Sequence, residues 1–154
     1  MSDNEQTPIK QLEENLRLVN TILYKRGRSI LAGMAVSSPQ FNALLMLKEL
    51  GPLTMGELCK RLFAACSTIT DLADRLERAG LVTRSRDTKD RRVVRIHILP
   101  KGEAVVREVI SERQRFIEKV WAEFDGTEQD GLLTTLRTLV TRMETLDAQL
   151  NPTE

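Results

Sequence analysis

The residues of this chain that could do chemistry are gathered between positions 57 and 97. Ser67, Thr68 and Thr70 place short hydroxyls within one and a half helical turns, with Asp71 and Arg75 beside them. Arg84, Arg86, Lys89, Asp90, Arg91 and Arg92 follow. This set suits recognition rather than bond cleavage. Hydroxyls and a carboxylate can reach base edges, and guanidinium and ammonium groups neutralise phosphates. Cys66 would sit at a helix N-terminus, where the dipole lowers a thiol pKa and favours the reactive thiolate. Cys59, next to Leu58 on an apolar face, reads as a small core residue. Two cysteines do not make a disulfide framework. His97 is the single histidine and lies far along the chain from both cysteines, so no metal site is expected. It reads instead as a strand residue on an outer face. No cofactor and no enzymatic activity are expected: there is no Gly-rich phosphate loop and no His-Glu-x-x-His, and a lone histidine serves no plausible Ser/His/Asp set.

The elements that must position these groups have clear start and stop signals. Thr54 and Glu57 have capping-box spacing, opening a short helix that turns Leu58 and Leu62 inward. Phe63-Ala64-Ala65 link it to a second helix over about 66–79, amphipathic through Ile69, Leu72, Ala73 and Leu76 and stopped by Gly80. Two β-rich segments, 81–86 and 91–99, flank the polar turn Asp87-Thr88-Lys89-Asp90. Helix, link, helix and charged hairpin is the order of a winged helix-turn-helix, which lays its second helix in the DNA major groove.

Charge is distributed accordingly. The whole chain carries a formal +1, yet residues 54–99 hold 10 Lys and Arg against 6 Asp and Glu. Residues 100–154 hold 7 against 11, so the cationic surface coincides with the motif. At 154 residues the chain suits one domain, and no apolar run approaches the roughly 20 residues that span a bilayer. The polar N-terminus lacks the chemistry of a secretory leader. A cytoplasmic protein with no membrane association is expected.

The flanks are helical. Thr7-Pro8 and Ser38-Pro39 are helix starts, and Gly51-Pro52 is a stop. Pro100 opens a long helix through Val105, Val106, Val109, Ile110, Phe116, Trp121 and Phe124, whose aromatics suit core better than a ligand cage. Asp125-Gly126 breaks it, and Thr127 caps a last helix. There Leu132, Leu136, Leu139, Met143, Leu146 and Leu150 run 4-3-4-3-4, a 3.5-residue repeat that calls for a long helical partner. The expected fold is mainly α with a small β-hairpin. Residues 1–8 form a flexible N-terminus, and 9–150 a single domain with its winged part at 36–99. Within that part the helix-turn-helix spans about 54–78 and the wing about 82–99. Residues 9–35 and 100–150 supply a helical dimerisation layer.

Ser67-Thr68-Ile69-Thr70, Leu72-Ala73-Asp74-Arg75-Leu76-Glu77, Gly80-Leu81-Val82, Arg84, Asp90-Arg91-Arg92 and the exit Ile98-x-x-Lys101-Gly102 occur in order and at fixed spacing. Over residues 8–150 the chain therefore resembles the MarR family of bacterial transcription regulators. The resemblance implies a homodimeric winged protein that binds palindromic double-stranded DNA, usually as a repressor, and often answers to a small-molecule effector. Ser67, Thr68 and Thr70 would meet phosphates or bases. Asp71 departs from the cation or amide frequent near its position, and would accept from cytosine N4 or pair with Arg75. Arg75 suits phosphate. Arg92, oriented by Asp90, would enter the minor groove, with Arg84, Arg86, Lys89 and Arg91 on phosphates. Ala65 stands where a polar N-cap is usual, leaving Cys66 or Ser67 to satisfy the exposed amides. Leu99 likewise replaces a usual Thr. A thiol regulator using Cys66, or a winged interaction module that does not read DNA, are the competing readings.

Overall fold

The computed structural model describes residues 7–87 and 90–150. Six helices and three short strands follow in the order α1 (Pro8–Gly33), α2 (Ser38–Leu50), β1 (Leu53–Thr54), α3 (Met55–Arg61), α4 (Cys66–Arg78), β2 (Val82–Arg86), β3 (Val94–Ile98), α5 (Pro100–Trp121) and α6 (Gly126–Leu150). Two compact units result, Met1–Arg113 and Gln114–Glu154.

In the first unit the hairpin gains a strand that the sequence reading lacks. β1 pairs with β3, giving the antiparallel order β1-β3-β2. Leu53 lies opposite Ile96, and Arg84 faces Ile96 from the other side. One core joins the sheet to α2, α3, α4 and the first half of α5 through Phe41, Leu44, Leu47, Leu58, Ile69, Leu76, Val82, Ile96, Val106 and Val109, all fully buried. The burial of Ile69, Leu72, Ala73 and Leu76 fixes α4 by one face and leaves the opposite face outward.

Helix ends follow side-chain chemistry. Thr7 caps α1, accepting from the Lys10 amide at 3.3 Å. The start of α2 lies one residue earlier than the Ser-Pro pair suggests. Ser37 is the N-cap and forms a capping box with Gln40, leaving Pro39 inside the first turn, where a missing N–H costs nothing. Thr54 and Glu57 form the expected box on α3. Gly80, at φ +70°, ends α4 in the left-handed region that glycine adopts freely.

In the second unit α5 stops at Trp121, short of Phe124, because Gln129 Nε2 donates to the Trp121 and Phe124 carbonyls, both at 3.0 Å. Asp125 rather than Thr127 caps α6, accepting from the Thr127 and Glu128 amides at 2.9 Å, while Glu128 Oε2 accepts from the Asp125 amide. A carboxylate two residues earlier reaches the free amides better than a hydroxyl already inside the first turn. No residue of α6 is buried.

Candidate nucleic-acid interface

Helix α4 presents Ser67, Thr68, Thr70, Asp71 and Arg75 to solvent, a face set by the apolar stripe on its other side. Thr70 Oγ1 donates to the Cys66 carbonyl at 2.8 Å. Its proton is thus committed, and toward a ligand it acts as an acceptor. Among the described residues Asp71 and Arg75 form no ion pair with each other, so the acid is not neutralised by its i+4 neighbour. Both line an open groove of about 250 Å³ with Ser37, Pro39, Gln40, Thr68 and Leu72. The first turn of α2 therefore borders the same surface. Position alone in the sequence gave no signal for that neighbour.

The N-terminus of α4 departs from expectation. Ala65 is the N-cap and no side chain caps the helix, so neither Cys66 nor Ser67 takes over that role. Cys66 is exposed and forms a disulfide with the buried Cys59 of α3. The sequence suggests two separate thiols; the structure joins them, and no free cysteine remains. Phe63, between them, is 96% exposed and held at φ +50°.

The wing separates its cations into two groups. Arg84 is half-buried and turned back onto α4, with Nη2 2.6 Å from Asp74 Oδ1 and Nη1 2.9 Å from Glu77 Oε2. Its backbone N–H also donates to Glu77 Oε1 at 3.0 Å. Its charge is shared with two carboxylates and braces β2 to α4. Arg95, missed in the sequence, ties β3 to the turn and to α3. Its Nε reaches Asp87 Oδ2 at 2.5 Å and its Nη1 lies 3.6 Å from Glu57 Oε2. The Asp87 hydrogen bond raises the Arg95 pKa further. Glu57 is held below the ordinary carboxylate range, first by the Thr54 backbone N–H it accepts from, then by the Thr54 hydroxyl, with Arg95 and Arg61 adding smaller effects.

Arg86, Arg91 and Arg92 point outward. The Arg92 side chain is 91% exposed, and Asp90 accepts from its backbone N–H at 3.0 Å, its Nε at 3.2 Å and its Nη2 at 3.3 Å. The Arg92 side chain, followed by its amide, holds the Asp90 carboxyl below its usual range. Lys89 lies outside the described residues. His97 is on β3 as expected, its Nε2 sharing a 2.7 Å hydrogen bond with Ser85 Oγ across the hairpin. Among the described residues no group of His, Cys, Asp and Glu is arranged to hold a metal, and no single helix is long and apolar enough to cross a membrane.

An outward polar helix face beside an exposed, carboxylate-held arginine on a hairpin is the geometry of a winged helix-turn-helix reader. The comparisons agree. Residues 36–94 match the MarR family model. An uncharacterised HTH-type transcriptional regulator of Bacillus subtilis strain 168, YsmB, is 44% identical over 120 residues, 78% of this chain and 82% of its own. The transcriptional repressor MprA of Escherichia coli strain K12 is 26% identical over 127 residues, 81% of this chain and 72% of its own. The solved structure of a MarR family protein from Bacillus stearothermophilus superposes with a TM-score of 0.83 at 45% identity, covering 93% of this chain and 99% of that one. The chain belongs to the MarR family of transcriptional regulators, whose members are generally DNA-binding repressors.

Proposed function

We propose that this regulator represses transcription by binding a palindromic operator as a homodimer, with α4 in the major groove and the wing tip in the minor groove. The observation that carries the reading is the pairing of an outward face on α4 with Arg92 held outward by Asp90. Thr68, Thr70 and Asp71 read base edges, Thr70 as an acceptor from an exocyclic amine and Asp71 from cytosine N4. Ser67 and Arg75 fix register on phosphates, as do Arg86 and Arg91. Lys89 is assigned to the same phosphate-binding group by its place in the turn. Arg92 enters the minor groove, whose potential favours guanidinium. Arg84 is left out of the contact set because two carboxylates already hold it.

Twofold symmetry is supported by the apolar faces a single copy leaves uncovered. On α1 these include Ile9, Leu16, Val19 and Ile22, and on α6 Leu132, Leu136, Met143 and Leu146. A second copy would cover them and set two α4 helices about one DNA turn, roughly 34 Å, apart. A small-molecule effector is the finer part of this reading. Arg113 lies over the Phe41 ring, 5.3 Å from its centroid, and among the described residues its buried Nε has no hydrogen-bond partner. Were that contact to open, a small organic anion would supply the acceptor.

The test is binding of wild type, Arg92→Ala, Thr70→Ala and Asp71→Ala to a palindrome recovered from a randomised duplex pool, and to its scramble, over a salt series. Arg92→Ala should weaken both duplexes and lower the salt slope by about 0.9 for each lost neutralised phosphate. The two α4 variants should relax sequence preference, each lost base contact being worth roughly 1–3 kcal/mol. Unchanged affinity and slope in Arg92→Ala would remove the wing from the interface.

A further inference from the structure

We propose that Cys59 and Cys66 are a reversible dithiol–disulfide site that sets the rigidity of the first turn of α4, and through it the strength of DNA reading. The effect on DNA rests on the reading of α4 given above. Three observations converge. The bridge ties the buried face of α3 to the first residue of α4, with α-carbons 5.3 Å apart, inside the range that a disulfide spans without backbone movement. The helix it enters has no side-chain cap: Ala65 offers no acceptor to the first amides. The link contains Phe63 at φ +50°, a conformation that a bulky side chain adopts only when its surroundings hold it there. With the bridge closed, the link and the start of α4 have one arrangement. With it open, nothing covalent and no cap replaces the tether. Ser67 and Thr68, the residues after Cys66, are the first to lose position.

The two sulfurs are not equivalent. Cys66 is exposed and sits at a helix N-terminus, which favours its thiolate, whereas Cys59 is buried. In the closing reaction the Cys66 thiolate attacks one oxygen of a peroxide. The O–O bond breaks, giving a Cys66 sulfenic acid and, after protonation, an alcohol or water. The Cys59 thiolate then attacks the Cys66 sulfur; the S–S bond forms, the S–O bond breaks and the oxygen leaves as water. Two thiols are oxidised and one peroxide is reduced. For reopening, the thiolate of a dithiol reductant attacks the exposed Cys66 sulfur and releases Cys59. Its second thiol then displaces Cys66, leaving the reductant as a disulfide.

The experiment compares full-length wild type and Cys59→Ala after hydrogen peroxide and after dithiothreitol. Alkylation read by intact mass should label no cysteine in oxidised wild type and both after reduction. Amide exchange over residues 66–70 should be slower in the oxidised protein. Affinity for a palindrome recovered from a randomised pool should be roughly fivefold higher in the oxidised form, the size of effect that a helix cap carries. In exchange and affinity, Cys59→Ala should match reduced wild type under both treatments, because its Cys66 has no second thiol with which to close the bridge. The proposal is overturned if peroxide leaves both thiols open to alkylation, if dithiothreitol restores neither, or if exchange over 66–70 is equal in the two states. Equal affinity despite altered exchange overturns the link to DNA reading. If no duplex is enriched in either state, it is the DNA reading of α4 that fails, and alkylation and exchange decide the bridge alone.

Discussion

Lys101 Nζ donates a hydrogen bond to the carbonyl oxygen of Ala79 at 2.8 Å, so the start of α5 closes the end of α4. The neighbouring Gly102 is pressed against the same corner. A Cβ there would lie 2.3 Å from the Leu81 oxygen, which already accepts from the Leu99 amide at 2.9 Å. The exit from the wing is thus an anchor for α4. Lys101→Met should cost about 1 kcal/mol, the value of one cap hydrogen bond. Gly102→Ala should cost more, on the order of 1–3 kcal/mol, because the backbone must move to admit a methyl group. Urea unfolding of both variants checks the order. Equal stability of Gly102→Ala and wild type would show that this corner is not tight.

Arg84 and Arg92 lie on one hairpin but should fail in different ways. Arg84→Met frees Asp74 and Glu77 from their shared cation and loosens β2 from α4. Stability should fall by about 1 kcal/mol, the value of partly exposed pairs, because the backbone N–H at position 84 keeps its bond to Glu77. DNA affinity should fall with no change in salt slope, since no phosphate contact is lost. Arg92→Ala should lower the slope and leave stability unaltered. A reduced slope in Arg84→Met would return it to the contact set.

Much of this was legible in the sequence, for identifiable reasons. The Thr54–Glu57 box, the apolar stripe of α4 and the Gly80 stop are local signals, decided within a few residues of themselves. The roles of Arg84 and Arg95 were not legible, because their partners Glu77, Asp74, Glu57 and Asp87 are brought to them only by folding of the sheet. The strand at Leu53–Thr54 is two residues long and exists only as a pairing with β3. The Cys59–Cys66 bridge was hidden for another reason. Its closure depends on a left-handed turn at Phe63, a residue type that gives no hint of positive φ.

Acid should loosen the join between α3 and the wing. Glu57 has its folded pKa depressed by the Thr54 N–H, so its contribution is present above the ordinary carboxylate range and is lost as pH falls through the depressed value. Asp90 is depressed in the same direction by Arg92, and its hold on that guanidinium weakens over the same fall in pH. Thr54→Ala, which removes one half of the box, should cost about 1 kcal/mol at neutral pH. Glu57→Gln keeps an acceptor for the Thr54 amide but loses the attraction to Arg95. Its unfolding free energy should therefore vary less steeply with pH below the carboxylate range than that of wild type. Parallel curves for the two proteins would show that Glu57 does not carry this dependence.

The 3.5-residue seam on α6 makes the last prediction. Leu136, Met143 and Leu146 recur on one side of a helix with no buried residue, and Met143 is 56% exposed. Apolar surface of this extent is stabilised by removal from water at about 25 cal/mol per Å², so a partner helix is favoured over solvent. If that partner belongs to a second copy, Met143→Glu with Leu146→Glu places like charges on both sides of the seam. Sedimentation should shift from dimer to monomer. Palindrome binding should fall far more than binding to a single half-site, because only the paired protein engages both halves. A soluble dimer that survives both substitutions would exclude α6 as the dimer seam.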